Sequence, residues 1–354
     1  MTSNNKPFKI NGDTFMSMTN KELCNPEVTK PDKDQQQVFG SSGKSIYPSD
    51  QKRRSRFSSA LLHNINKNLK KGYLCPDTLK KQMSVFFDDT SGISPIQEKT
   101  DQCPKFFTKQ EQRPPVFFVL SPTNRCNLQC IDCPDVRHEK SMSYKARHHM
   151  ISDIRDNYGD RFIIIQGGEP FIYTDSEKTL FDIFKEFRDL FFIVITNGTL
   201  INEKVALELA QLGNVSLLIS VDGYEMETDR KRGSGVHGRI LEAMENLREA
   251  GLAFGISVTV TEKNINLMLD YFFYDYYFEE QGAIYMWQSL MIPVSSKKGF
   301  HGLVPSPEKR TRLYRIRDKI ISEKKYCVAD FWNSNITTDA SQTYGWSTGR
   351  IFLF

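Results

Sequence analysis

Val116-Phe117-Phe118-Val119-Leu120-Ser121-Pro122-Thr123-Asn124-Arg125-Cys126-Asn127-Leu128-Gln129-Cys130-Ile131-Asp132-Cys133 is the stretch on which the reading turns. A short, unbroken apolar run, Val116–Leu120, reads as a strand buried on both faces, because a sheet covered on both sides needs apolar residues at every position. It ends in the breakers Ser121-Pro122-Thr123, and three cysteines follow with the spacing C-x-x-x-C-x-x-C. Ligand-bearing residues in an α/β fold sit at this carboxyl edge of a strand.

The same strand-then-turn unit repeats downstream. Phe162–Ile165 precedes Gly167-Gly168, Phe191–Ile195 precedes Asn197-Gly198, and Val215–Ser220 precedes Asp222-Gly223. Phe254–Val260 is a fifth run, and Ile284–Ile292 holds a sixth. Amphipathic segments lie between them. Met150, Ile151, Ile154 and Tyr158 share one helical stripe, and Leu180, Phe181, Phe184 and Phe187 share another. Val205, Leu209 and Leu212 lead to Gly213, and Ile240, Leu241, Met244 and Leu247 lead to Gly251; both glycines suit the left-handed residue that ends a helix. Alternating strands and helices at this pace imply parallel strands with right-handed crossovers. The expected fold is α/β, a partial (β/α)6 barrel of the TIM-like kind, with an open doubly wound sheet as the alternative.

Residues 1–112 form an N-terminal extension, 113–300 the core and 301–354 a C-terminal extension. Residues 1 to 55 are rich in Asn, Lys, Asp, Gln, Ser and Pro and read as largely disordered. A helix is expected near 57–83, with Leu61, Leu62, Ile65 and Leu69 on one face. The basic runs Lys52-Arg53-Arg54 with Arg56, and Lys67 with Lys70 and Lys71, read as a solvated face. A further helix is expected over 308–325, with Leu313, Ile316 and Ile320 inward; the apolar Ile351–Phe354 wants a sheet partner, and none follows in sequence.

A net charge of +4 over 354 residues gives no case for nucleic acid. No apolar run reaches the ~18 residues of a membrane span, and Met1–Pro7 lacks the apolar core of a secretory signal. Seven cysteines, three of them within eight residues, do not read as a disulfide framework; thiolates held for metal in a reducing cytoplasm fit better.

Thiolate suits iron–sulfur clusters or zinc. An electron-transfer cluster or a structural zinc site takes four protein ligands. Three close cysteines can grip three irons of a cubane and leave the fourth open for a substrate. His138 could instead complete a Cys3His zinc site with Cys126, Cys130 and Cys133.

This pattern resembles the radical SAM core over about residues 114–300. The resemblance implies a single [4Fe-4S] cluster held by Cys126, Cys130 and Cys133, with S-adenosylmethionine (SAM) chelating the open iron. Reductive cleavage would then give a 5′-deoxyadenosyl radical that abstracts hydrogen from a substrate. Gln166-Gly167-Gly168-Glu169-Pro170 is similar to the family's GGEP motif, whose backbone and Glu169 would meet the methionine ammonium group. Thr196-Asn197-Gly198 resembles a turn that shapes the mouth of the site. Ser220-Val221-Asp222-Gly223 is similar to a stretch of the peptide- and protein-modifying branch, in which Ser220 meets the ribose. Arg232 matches an arginine that pairs with the methionine carboxylate; Arg230 and Lys231 read as solvated. Val258 and Met291 are candidates for the adenine platform, and Asp222 and Tyr285 for groups facing the cavity.

The resemblance implies an external one-electron donor such as flavodoxin or ferredoxin, and leans toward a peptide or protein substrate. The nearest branch carries a SPASM-type extension with auxiliary-cluster cysteines; beyond Cys133 this chain has only Cys327, which cannot build a second cubane. A non-catalytic iron–sulfur or zinc protein, or a truncated inactive paralogue, are the alternatives.

Overall fold

The computed structural model describes residues 47–86, 117–133, 140–158, 162–291, 300–330 and 349–352. The strands are β1 (Phe117–Leu120), β2 (Phe162–Ile165), β3 (Phe191–Thr196), β4 (Val215–Val221), β5 (Phe254–Val260), β6 (Tyr285–Leu290), β7 (Val328–Asp330) and β8 (Gly349–Phe352). The helices are α1 (Tyr47–Lys71), α2 (Pro76–Phe86), α3 (Tyr144–Asp153), α4 (Leu180–Glu186), α5 (Glu203–Leu212), α6 (Glu225–Arg232), α7 (Val236–Glu249), α8 (Ile265–Met268), α9 (Tyr271–Asp275) and α10 (Pro307–Lys319).

Every strand pair is parallel, and the order is β7-β6-β5-β4-β3-β2-β1-β8. From β1 to β7 the spatial order follows the chain. A doubly wound sheet would reverse its order at a switch point, so the half-barrel is the fold and the alternative falls away. Two strands add to the six expected. β7 extends the sheet beyond β6, and β8 pairs with β1 from Phe117↔Gly349 to Leu120↔Phe352. The apolar segment near residue 351 thus has a sheet partner, an earlier strand rather than a later one.

The central strands are largely apolar because helices cover one face and packed side chains the other. Phe118, Leu120, Ile163, Ile165, Phe192 and Val194 are fully buried, as are Leu217, Ile219, Ile256 and Val258. Gly213 ends α5 at φ 72° and Gly251 follows α7 at φ 67°, both in the left-handed region.

The N-terminal segment folds as two helices rather than one, and α1 begins at Tyr47; residues 1–46, with Cys24, lie outside the described residues. The pair covers the end of the barrel where the strands start. Asn68 Nδ2 donates to Gly282 O (2.7 Å), and Gln82 Nε2 donates to Val215 O (2.8 Å). Cys75 N donates to Gly251 O (3.0 Å). Ile65, Leu74 and Leu79 form a small core here with Ala253 and Ile284. Lys67 is not merely solvated: it pairs with Glu279 (2.6 Å). Because Asn68 is fully buried, its removal strands the Gly282 carbonyl without water. Asn68→Ala is expected to lower stability by about 1–3 kcal/mol, read as a shift in the denaturant midpoint with an unchanged slope.

Candidate functional site

The site stands at the opposite end, over the carboxyl ends of the strands. It is a cavity of about 740 Å³ whose walls include Cys126, Cys130, Cys133, Gly167, Gly168, Ser220, Asp222 and Arg232.

The loop after β1 is pinned before it reaches the cysteines. Met142 N donates to Pro122 O (2.9 Å), Asn124 N to Lys140 O (2.9 Å), and the Thr123 and Ser141 hydroxyls share a hydrogen bond (2.6 Å). The turn after β2 then docks on it backbone to backbone. Gly168 N donates to Thr123 O (2.9 Å) and Glu169 N to Arg125 O (2.8 Å). A Cβ on Gly168 would collide with the Arg125 carbonyl, so glycine is required by the close approach.

Glu169 does not line the cavity. Its side chain is fully buried behind the turn. Thr196 Oγ1 and Phe171 N donate to Oε1 (2.7 and 3.1 Å), and Asn197 N donates to Oε2 (2.8 Å). Burial pushes this carboxyl up, and the three donors pull it back. Its role here is to tie the β2 turn to the β3 turn. The Thr196-Asn197-Gly198 turn continues the chain of bonds: Asn197 Nδ2 donates to Asn127 Oδ1 (2.8 Å), and Asn127 Nδ2 to Thr199 Oγ1 (2.9 Å).

On the far wall Asp222, 2 % exposed, accepts from Lys231 Nζ and Arg232 Nε, both at 2.5 Å. Burial raises the Asp222 carboxyl, but the two cations outweigh it and hold it below the usual range. Lys231, expected in solvent, is a wall residue paired with Asp222. The Lys231 carbonyl also accepts from Ile131 N (2.7 Å), and Lys263 pairs with Asp132 (2.8 Å), so the cysteine loop is tied to α6 and to the β5 end.

All three motif thiols are free and share this cavity. Burial raises the Cys126 and Cys130 thiols; Leu128 N, donating to Cys126 Sγ (3.4 Å), and Arg232 beside Cys130 act in the other direction. Among the described residues no three His, Cys, Asp or Glu side chains converge as ligands of one ion. A cubane asks something different, one thiolate on each of three separate irons, and three free thiols lining one cavity of this size suit it. His138, Cys24 and Cys103 lie outside the described residues. Cys327 is buried in the core, away from the cavity.

Ser220 lines the cavity, as does Met291; Val258 is a fully buried core residue that does not. Tyr285 is at the wrong end: it opens β6, and its hydroxyl hydrogen-bonds Ser216 (3.0 Å) near the start of β4. Among the wall residues missed by the sequence reading are Asn264, Leu303 and Asn124. Asn264 Nδ2 donates to Asp222 O (2.9 Å), and its Oδ1 accepts from Thr261 N (2.7 Å), a turn signature readable in Thr261–Asn264. Leu303, assigned to the C-terminal extension, closes the cavity beside Met291. Asn124 carried no signal beyond its place before the motif.

Residues 120–269 match the model of the Radical SAM superfamily. Among curated proteins it is 31% identical over 167 residues to mycofactocin maturase MftC of Mycobacterium ulcerans, covering 44% of this chain and 43% of that protein. It is 28% identical over 152 residues to Fe-coproporphyrin III synthase of Methanosarcina barkeri, covering 42% and 37%. The chain thus spans under half the length of these two relatives. Among solved structures it shares its fold with Streptococcus suis SuiB bound to precursor peptide SuiA, at a TM-score of 0.50 and 15% identity over 89% of this chain and 61% of that one. Among the described residues no helix is long and apolar enough to cross a membrane.

Two variants test this geometry. Gly168→Ala is expected to force the β2 turn off the Arg125 carbonyl and to lower iron loading after reconstitution, measured as iron per chain. Asp222→Asn leaves two cations without their buried counter-charge and is expected to cost about 3 kcal/mol at neutral pH. A depressed carboxyl contributes above its unfolded value of about 3.9, and the contribution is lost as pH falls through the lower folded value. The wild type should therefore lose stability below about pH 4, and Asp222→Asn should lose less, in denaturant titrations at each pH.

Proposed function

We propose that Cys126, Cys130 and Cys133 hold one [4Fe-4S] cluster and that the chain is a radical SAM enzyme acting on a peptide or protein. When bound, the cluster and SAM supply the electron and the C–S bond cleavage that yield a 5′-deoxyadenosyl radical. The observation that carries the proposal is the convergence of the three thiols with the Gly167-Gly168 turn, Ser220 and Arg232 on one cavity at the strand ends.

The chain's own residues bind and orient. The β2 turn brings main-chain groups to the cavity without side chains in the way, where they would meet the methionine ammonium. Glu169 fixes that turn from behind. Arg232 keeps one edge on Asp222 and presents the rest of its planar fork to the methionine carboxylate, with Lys231 adding charge. Ser220 would meet the ribose. Met291 and Leu303 form an apolar wall that excludes water from the reacting groups. The peptide assignment is supported by the likeness of Ser220–Gly223 to the peptide-modifying branch, and SuiB with its precursor peptide shows the fold beside such a ligand. An external one-electron donor such as flavodoxin or ferredoxin completes the scheme.

Anaerobically reconstituted protein is expected to hold about four irons per chain and, with dithionite, to release 5′-deoxyadenosine from SAM. Cys130→Ala should abolish both. Cleavage that survives in Cys130→Ala would remove the ligand assignment, and zinc in place of iron on elemental analysis would replace the cluster.

A further inference from the structure

Asn197 sits where three hydrogen-bond requirements meet. Its main-chain N–H is fixed on Glu169 Oε2 (2.8 Å). Its side-chain Oδ1 accepts from both Thr199 N (2.9 Å) and Thr199 Oγ1 (2.7 Å). Two donors at one terminal atom identify that atom as the oxygen, so the amide cannot flip, and Nδ2 must point the other way. There it has two acceptors, Asn127 Oδ1 (2.8 Å) and Cys126 Sγ (3.9 Å). Asn197 is itself only 6 % exposed. Cys126 Sγ already accepts from Leu128 N (3.4 Å) on its own loop. The Asn197 amide is a second donor, delivered from a different strand.

We infer that Asn197 is a positioning residue that tunes the Cys126 sulfur, and through it sets how readily the bound cluster accepts an electron. The inference rests on the three-cysteine cluster proposed above. A hydrogen bond to a ligating sulfur withdraws negative charge from the cluster. It favours the reduced state, which carries one more negative charge, and so raises the potential. Nothing in the Thr196-Asn197-Gly198 turn as a turn requires this; glycine, aspartate or serine would also make one.

The test uses full-length, anaerobically reconstituted protein and a redox titration followed by electron paramagnetic resonance. Asn197→Leu removes the donor. Asn197→Asp keeps the acceptor for Thr199 and sets a carboxylate oxygen against the sulfur. Both should shift the potential to more negative values at unchanged iron content, Asp further than Leu. Asn127→Ala separates tuning from scaffolding. It breaks the same Asn127–Asn197 bond but leaves Nδ2 to Cys126, so its potential should not move in the negative direction. No shift in the Asn197 variants, or an equal negative shift in Asn127→Ala and Asn197→Leu, would overturn the inference.

Should the wild type itself take up no iron, the cluster proposal fails and this inference with it; full iron content with an unmoved potential in both Asn197 variants overturns this inference alone.

Discussion

Sealed from solvent, the Glu169 carboxylate draws hydrogen bonds from Thr196 Oγ1, Asn197 N and Phe171 N, and so ties together turns that leave two different strands. A buried carboxylate is costly unless its lone pairs are used. Here they are used by groups that could not be placed otherwise. With the β2 turn fixed to the β3 turn, Gly168 N and Glu169 N can meet the carbonyls of Thr123 and Arg125, and the cysteine loop gains a firm floor. Each remaining contact of the site, from Asn127 on Thr199 to Ile131 on Lys231, presumes that floor.

Parallel strands divide the molecule by polarity. At their amino ends the carbonyls of Val215, Gly251 and Gly282 are taken by the α1–α2 pair, through Gln82, Cys75 and Asn68. At their carboxyl ends the chain leaves in polar turns, and these carry thiols, the buried Asp222 with its two cations, and the open cavity. Barrels of this kind place chemistry at the second end and packing at the first. Asp222 belongs to both accounts: its charge is needed to keep Arg232 and Lys231 in place, and its main-chain carbonyl anchors Asn264 across the cavity.

Much of the fold was legible in sequence because strands covered on both faces are written as largely apolar runs, and β1 to β6 have them with few polar interruptions. β7 is only three residues, and β8 pairs with a strand more than two hundred residues earlier, which no local pattern announces. The cysteine loop and the Gly167-Gly168 turn each directly follow a strand, whereas Ser220, inside β4, and Arg232, the last residue of α6, were singled out only through the family resemblance. Lys231 was misjudged because a charge run looks solvated; its partner, Asp222, lies on the preceding strand end, and only the fold brings them together. Tyr285 was misjudged for a simpler reason. It is the first residue of its strand, and a first residue faces the closed end. Leu303 lay beyond the last expected strand, where apolar periodicity says nothing about which cavity a side chain will enter.

Leu303 reaches the cavity because its carbonyl accepts from Glu262 N, and Glu262 in turn holds Ser306 N and Lys309. The roof of the chamber is therefore fastened to the end of β5, while the thiols stand on the loop after β1. A change of side chain at position 303 would reshape the top of the chamber and leave the wall that bears the sulfurs as it is.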